Sequence, residues 1–213
     1  GIGYYAIHLD DYDIQAELTA TTRCGFQRYT FPQDREGARV LVDLHIPTEY
    51  DYVLSDIEIK KVGPNRIEGV SHQLSRNVWS NDADQDYRLY FVLEFDQPIQ
   101  EMGGWTDGTV VKTEHLTGKD LKDAGLFLQF DVKQNPTVQV RSGISLVSLE
   151  NASLNLKTEI SDPFGWSFDA VRDHQQAVWN ELFGRVEIST TDRQEKVRFY
   201  NNEMPCGQKQ PHS

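Results

Sequence analysis

Two stretches of this chain carry carboxylates at spacings that could hold a cation. Asp82-Ala83-Asp84-Gln85-Asp86 places acids at the first, third and fifth positions of a loop. That is how a calcium loop opens, because Ca²⁺ takes several hard oxygen ligands. The sixth position, however, is Tyr87 where the sharp turn needs Gly, and the twelfth is Leu93 where a bidentate Glu belongs. The EF-hand reading fails, and an acidic solvated loop is the plain alternative. Asp10, Asp11 and Asp13 divide the same way, and turn residues are the preferred reading there. Trp79, flanked by Asn77, Asn81 and Asp82, and Trp105 stand in polar, loop-like surroundings. An indole stacks on sugar rings, so these two are the candidate carbohydrate contacts, with Trp79 the better placed. The competing reading is a ring folded down on its own protein.

Other chemistries find no frame. Arg141-Ser142-Gly143-Ile144-Ser145 lacks the pattern of a nucleophile elbow. HExxH, P-loop and GxGxxG motifs are missing from the sequence. The six histidines do not stand at metal-ligand spacing with one another. Glycoside hydrolysis by inversion needs two carboxyls about 6.5–9.5 Å apart, and the sequence singles out no such pair. No residue is assigned as catalytic or as a metal ligand. Cys24 and Cys206 are too far apart for a CxxC pair, and two separate thiols are preferred to a disulfide.

The balance of 21 basic against 33 acidic residues gives a net charge of −12 over 213 residues. Such a chain repels phosphate backbones, so nucleic acid is not an expected partner. No apolar run is long enough to span a membrane, and no signal peptide is visible at the start.

The elements that must position any site are strands first. Val40, Val42 and Leu44 alternate with polar neighbours, as do Ile57 and Ile59. Leu89, Phe91, Leu93 and Phe95 repeat the pattern, followed by Leu126, Leu128, Phe130 and Val132. Period-two alternation with one apolar and one mostly wet face predicts antiparallel sheets packed face to face. Clusters such as Gly63-Pro64-Asn65, Gly103-Gly104 and Asn135-Pro136 predict the turns. The expected fold is mainly β, an antiparallel β-sandwich over residues 1–147. Helical periodicity takes over across 148–200. One short helix is expected over 149–160, broken at Asp162-Pro163. A longer one is capped by Ser167 and stopped by Gly184, and a third is signalled by the capping-box pattern Thr191-x-x-Gln194. Residues 201–213 read as an irregular tail.

Several segments resemble glycoside hydrolase family 92, the bacterial exo-α-mannosidases. The likeness lies in Gly3-Tyr4-Tyr5, in Leu9-Asp10-Asp11-Tyr12-Asp13-Ile14 and in Gly25-Phe26-Gln27-Arg28-Tyr29-Thr30-Phe31-Pro32. Tyr90-Phe91 with Glu94-Phe95, then Gly143-Ile144-Ser145, continue it, and Trp179-Asn180 with Leu182 resembles a helical linker. The resemblance implies a supersandwich-like domain joined by helices to an (α/α)₆ barrel. It implies calcium-dependent release of mannose with inversion, with the acid, the base and most calcium ligands in the barrel. It implies mannose-containing glycans as substrates and a secreted or periplasmic enzyme. On this footing the chain is expected to be the non-catalytic sandwich portion of such an enzyme, binding no calcium by itself, with the barrel as its partner. Two alternatives stay open: a stand-alone lectin-like module using Trp79 and Trp105, and a purely structural interaction module.

Overall fold

The computed structural model describes residues 2–32, 37–44, 52–75, 84–185 and 188–202. Its strands are β1 (Tyr5–Leu9), β2 (Ile14–Ala20), β3 (Cys24–Thr30), β4 (Ala38–Asp43), β5 (Tyr52–Gly63) and β6 (Arg66–Ser75). They continue as β7 (Gln85–Phe95), β8 (Glu101–Thr106), β9 (Thr109–Lys112), β10 (His115–Leu121), β11 (Ala124–Phe130) and β12 (Thr137–Ser145). The helices are α1 (Leu149–Leu156), α2 (Asp162–Phe164), α3 (Phe168–Phe183) and α4 (Arg193–Asn202).

All the strand pairings are antiparallel. An eight-stranded sheet has the order β1-β2-β3-β12-β7-β6-β5-β10, and a four-stranded sheet has the order β4-β11-β8-β9. The alternation read from the sequence sets the register. Val40, Ile57, Ile59, Phe91, Leu93, Phe95, Leu126, Leu128, Phe130 and Val132 all point into one core between the sheets. Each such side chain removed from water contributes about 1.5–3 kcal/mol. The expected sandwich followed by helices is the observed architecture.

The expected wet outer face is found only in part. On the large sheet, Phe26 and Val92 face away from the sandwich core into a second cluster with Ala152, Leu156, Ile160, Phe168 and Val171 of the helices. These strands are buried on both faces, which alternation alone does not reveal. Gly103-Gly104 is not a turn either. Both residues lie buried within β8, because a neighbouring side chain lies over each.

The helices depart from expectation at two points. Asp162-Pro163 does not break the chain. A π-helical turn over Lys157–Ser161 joins α1 directly to α2, with Pro163 in the first turn of α2. The first turn of a helix tolerates the missing N–H of proline, and the wide turn before it resets the hydrogen-bond ladder. The cap of α4 is Asp192 rather than Thr191: Asp192 Oδ1 accepts from the Gln194 N–H at 2.7 Å, and Thr190 donates to Glu195 at 2.8 Å. Ser167 does cap α3, accepting from the Ala170 N–H at 3.4 Å. That helix ends at Gly184, whose φ of −65° is right-handed, so the stop is not a left-handed glycine cap. The tail expected from 201 yields two residues, Asn201 and Asn202, to α4.

Candidate functional site

The outer face of the large sheet and the helices meet along a seam, and a depression lies on each side of it. The seam is tight because of Gly143 on β12. A Cβ there would stand 2.8 Å from the Leu156 Cβ and closer still to the Ala152 carbonyl. Glycine therefore lets α1 settle onto the sheet.

The first depression is a cleft of about 640 Å³ between β6, β7, β12 and α1. Its centre is Glu94. One carboxylate oxygen accepts from Arg66, and the other accepts from Arg141 Nε at 2.9 Å and Nη2 at 2.8 Å. Arg66 also reaches Glu68 at 2.9 Å and donates to the Ser153 hydroxyl of α1. Arg141 donates to the Gly165 carbonyl at 2.9 Å and lies 4.1 Å above the Trp166 ring. Strand and helix are thus sewn together by charge-assisted bonds, which are the strong ones.

The second depression is an apolar groove between the edge strands and α3. Tyr5, Leu18 and Ala20 form one wall, and Val178, Trp179 and Leu182 the other. A second ionic knot lies beside the groove, joined to it through Tyr4 of its lining. Arg28 donates to Glu17 at 2.7 and 2.8 Å, reaches Asp169 at 3.2 Å and covers the Phe168 ring at 4.4 Å. Tyr4 donates to Glu17 at 2.8 Å. The Arg28 bond holds the Glu17 carboxyl below the usual carboxylate range, against burial, and Tyr4 adds to the lowering. Half of α3 is packed, with Phe168 and Val171 fully buried, while Val178 and Leu182 project.

Among the described residues, the carboxylates that knit this seam are taken up in ion pairs and hydrogen bonds. A general acid needs a pKa raised towards the working pH. Both oxygens of Glu94 are occupied by guanidinium groups. Burial raises Glu159, but bonds from Thr21 and from the Arg23 backbone and side chain outweigh it and leave the carboxyl lowered. Among the described residues, Asp96 is the carboxylate that burial pushes up, and it sits at the end of β7 bonded to Gln139, outside both depressions. Burial first, then Glu159, pushes the Cys24 thiol up to about 12, so it is no nucleophile.

The residues singled out by sequence that the structure describes lie on separate elements. Trp79 lies outside the described residues, as do Asp82 and Cys206. Asp86 is on β7 and bonds His72. Asp13 turns the chain with a φ of 51° and pairs with His8 at 3.3 Å. Trp105 is not in a loop but on β8, facing outward from the small sheet, remote from the seam. Among the described residues no three His, Cys, Asp or Glu side chains gather closely enough to hold a metal ion. Sequence reasoning misses the seam residues Arg66, Glu94, Arg141, Glu17 and Arg28. Their signal is charge at outward positions of strands, and it becomes legible only once the register places those strands side by side.

Comparison with known proteins adds to this geometry. Residues 1–145 match the model of the glycosyl hydrolase family 92 N-terminal domain, and residues 151–203 match that of the family's catalytic domain. The second match opens on α1, so the seam is where the two models meet. No curated protein matches the chain. Among solved structures, the family GH92 α-mannosidase BT3965 from Bacteroides thetaiotaomicron is 23% identical with a TM-score of 0.75, over 93% of this chain and 25% of its own. The family GH92 inverting mannosidase BT2199 from the same organism is 23% identical with a TM-score of 0.69, over 87% of this chain and 23% of its own. The gh92 family glycosyl hydrolase ccman5 is 27% identical with a TM-score of 0.65, over 84% of this chain and 22% of its own. The chain therefore spans about a quarter of the length of the structures it matches.

Proposed function

The chain belongs to glycosyl hydrolase family 92, and we propose that it is the non-catalytic sandwich portion of a calcium-dependent, inverting exo-α-mannosidase acting outside the cytoplasm. Its work is to hold the first helices of the catalytic domain in place and to form one wall of the cleft that a barrel completes. Ligand sites prefer such domain boundaries. The observation that carries the reading is the seam itself. The ionic knots around Glu94 and Glu17 fix α1 and α3 on the sheet, while the far half of α3 projects with Val178 and Leu182 uncovered.

The acid and base of hydrolysis belong to the barrel. Among the described residues no three His, Cys, Asp or Glu side chains gather to hold a metal ion, and the calcium ligands are assigned to the barrel. What this chain's own residues do is orient. Arg141 fixes the loop at Gly165, Arg66 fixes Ser153 on α1, and Arg28 fixes the first turn of α3 through Asp169. Mannose-containing glycans are the substrate class of the whole enzyme. Sequencing the genomic DNA on both sides of this reading frame tests the assignment. A continuous frame encoding an (α/α)₆ barrel after α4 is expected. A stop codon followed by unrelated sequence would overturn it.

A further inference from the structure

We propose that the outer face of the four-stranded sheet is a binding platform for a neutral oligosaccharide, with Trp105 and Phe127 as its stacking rings. This face is on the opposite side of the sandwich from the seam, so the proposal does not depend on the helices or on a barrel. None of the described helices makes an extensive contact with its four strands.

The two rings are laid down on the sheet by glycines. Trp105 pairs with Gly125 and Phe127 pairs with Gly103. A Cβ added to Gly125 would fall into the Trp105 indole, and one added to Gly103 would fall into the Phe127 ring. Each ring thus fills the place of its neighbour's missing side chain and lies across the strand instead of standing off it. Gly125 and Phe127 are two residues apart on β11, a step of about 7 Å along the strand. Trp105 is also held from the side. Its Nε1 donates to Asp123 Oδ1 at 3.1 Å, and Asp107 Oδ1 accepts from the Asp123 and Lys122 N–H groups at 2.9 and 2.8 Å. The same bonds join the β8–β9 and β10–β11 turns, so the indole is anchored to both connections. A rigid ring loses little entropy on binding, which is what a stacking contact needs.

The surroundings select the ligand. Leu41 beside Phe127 and Val110 beside Trp105 are 66% and 67% exposed, and they extend the apolar strip across all four strands. A contiguous apolar strip of this kind marks a binding surface. On the strands of the same face Arg39 and Lys112 stand against Asp43 and Glu101, with Lys112 and Glu101 paired at 2.6 Å, and the Asp123 and Asp107 carboxylates beside Trp105 are engaged by the indole and backbone N–H groups. In a chain of net charge −12, this aromatic, hydrogen-bonding face without a cationic cluster suits an uncharged polyhydroxylated ligand rather than an anion or a lipid headgroup.

The test titrates the 213-residue chain with two probes, α-1,6-linked mannohexaose and cellohexaose, and follows the Trp105 indole N–H resonance alongside calorimetry. A saturable shift with at least one probe is expected, and which probe binds identifies the linkage class. Phe127→Ala should weaken binding about tenfold, as loss of one stacked ring implies. Trp105→Ala should abolish it. Because Trp105→Ala risks the fold, Leu41→Arg is the second variant. Its exposed side chain leaves the core intact and should weaken binding with an unchanged melting temperature. Absence of a Trp105 shift with either probe at millimolar sugar would overturn the proposal. So would binding unchanged in both Phe127→Ala and Leu41→Arg. Concentration-dependent self-association lost in Leu41→Arg, without a sugar response, would overturn it in favour of a second copy of the chain.

Discussion

Glu94→Gln removes one negative charge and leaves the side chain's shape, so it isolates what the carboxylate does between Arg66 and Arg141. The Glu94 side chain is 21% exposed, against 26% for Arg66 and 12% for Arg141. Breaking a fully buried pair costs about 3–5 kcal/mol. Partial exposure screens the loss, and the substituted amide keeps one acceptor oxygen, so about 2–3 kcal/mol is expected here. For a chain of this length each kcal/mol shifts the midpoint by about 2–4 °C, which gives a drop in Tm of roughly 4–12 °C. The control is Glu114→Gln. Its partner Lys61 lies at 2.7 Å, but Glu114 is 69% exposed, and a change within about 0.5 kcal/mol is expected. Calorimetric melting of both variants beside the native chain is the assay. If Glu94→Gln melts within a degree or two of Glu114→Gln, the cleft is not held by this knot and the account of the seam is wrong.

Other perturbations reach different parts of the seam. Gly143→Ala should destabilise by about 1–3 kcal/mol in urea titration, since the new methyl meets the Leu156 Cβ and the Ala152 carbonyl, and neither can move without lifting α1. Glu17 has a folded pKa depressed chiefly by Arg28, so its contribution is complete above the unfolded value of about 4.3 and is lost as pH falls through the depressed one. Denaturant midpoints below pH 4 should therefore decline less steeply in Glu17→Gln than in the native chain. Cys24, raised to about 12, contributes as a buried thiol below its unfolded value of about 8.5, and that stability is lost as pH rises towards 12. A thiol-reactive disulfide reagent at pH 8 should leave Cys24 untouched in the native chain and label it at once in urea.

The sandwich is legible because its core obeys period two. Ile57 with Ile59, and Leu126 with Leu128 and Phe130, announce which face is inward before any pairing is known. What lies outside that signal is everything decided between strands. Gly103-Gly104 has the composition of a turn, and only the ring of Phe127 and the side chain of Leu116 above it explain why it is strand. Val92 reads as the wet face of β7, and only the helices that arrive 60 residues later in the chain bury it. Pro163 reads as a break because the π-helical turn that precedes it leaves no composition signature. Apart from Arg66–Glu68, the ionic knots at Glu94 and Glu17 join residues between 11 and 141 positions apart, so no local pattern carries them. Trp105 stands out for its chemistry and is misplaced by its neighbours, the same two glycines.

In the proposed function the chain positions a barrel that carries the chemistry. The most direct test of that role is the incubation of pure 213-residue chain with α-1,2-linked mannobiose, with calcium and then with chelator, reading free mannose over a long time course. No release above the buffer control is predicted under either condition, because the acid and base are assigned to the barrel. Steady, calcium-dependent turnover that survives further purification would contradict the account.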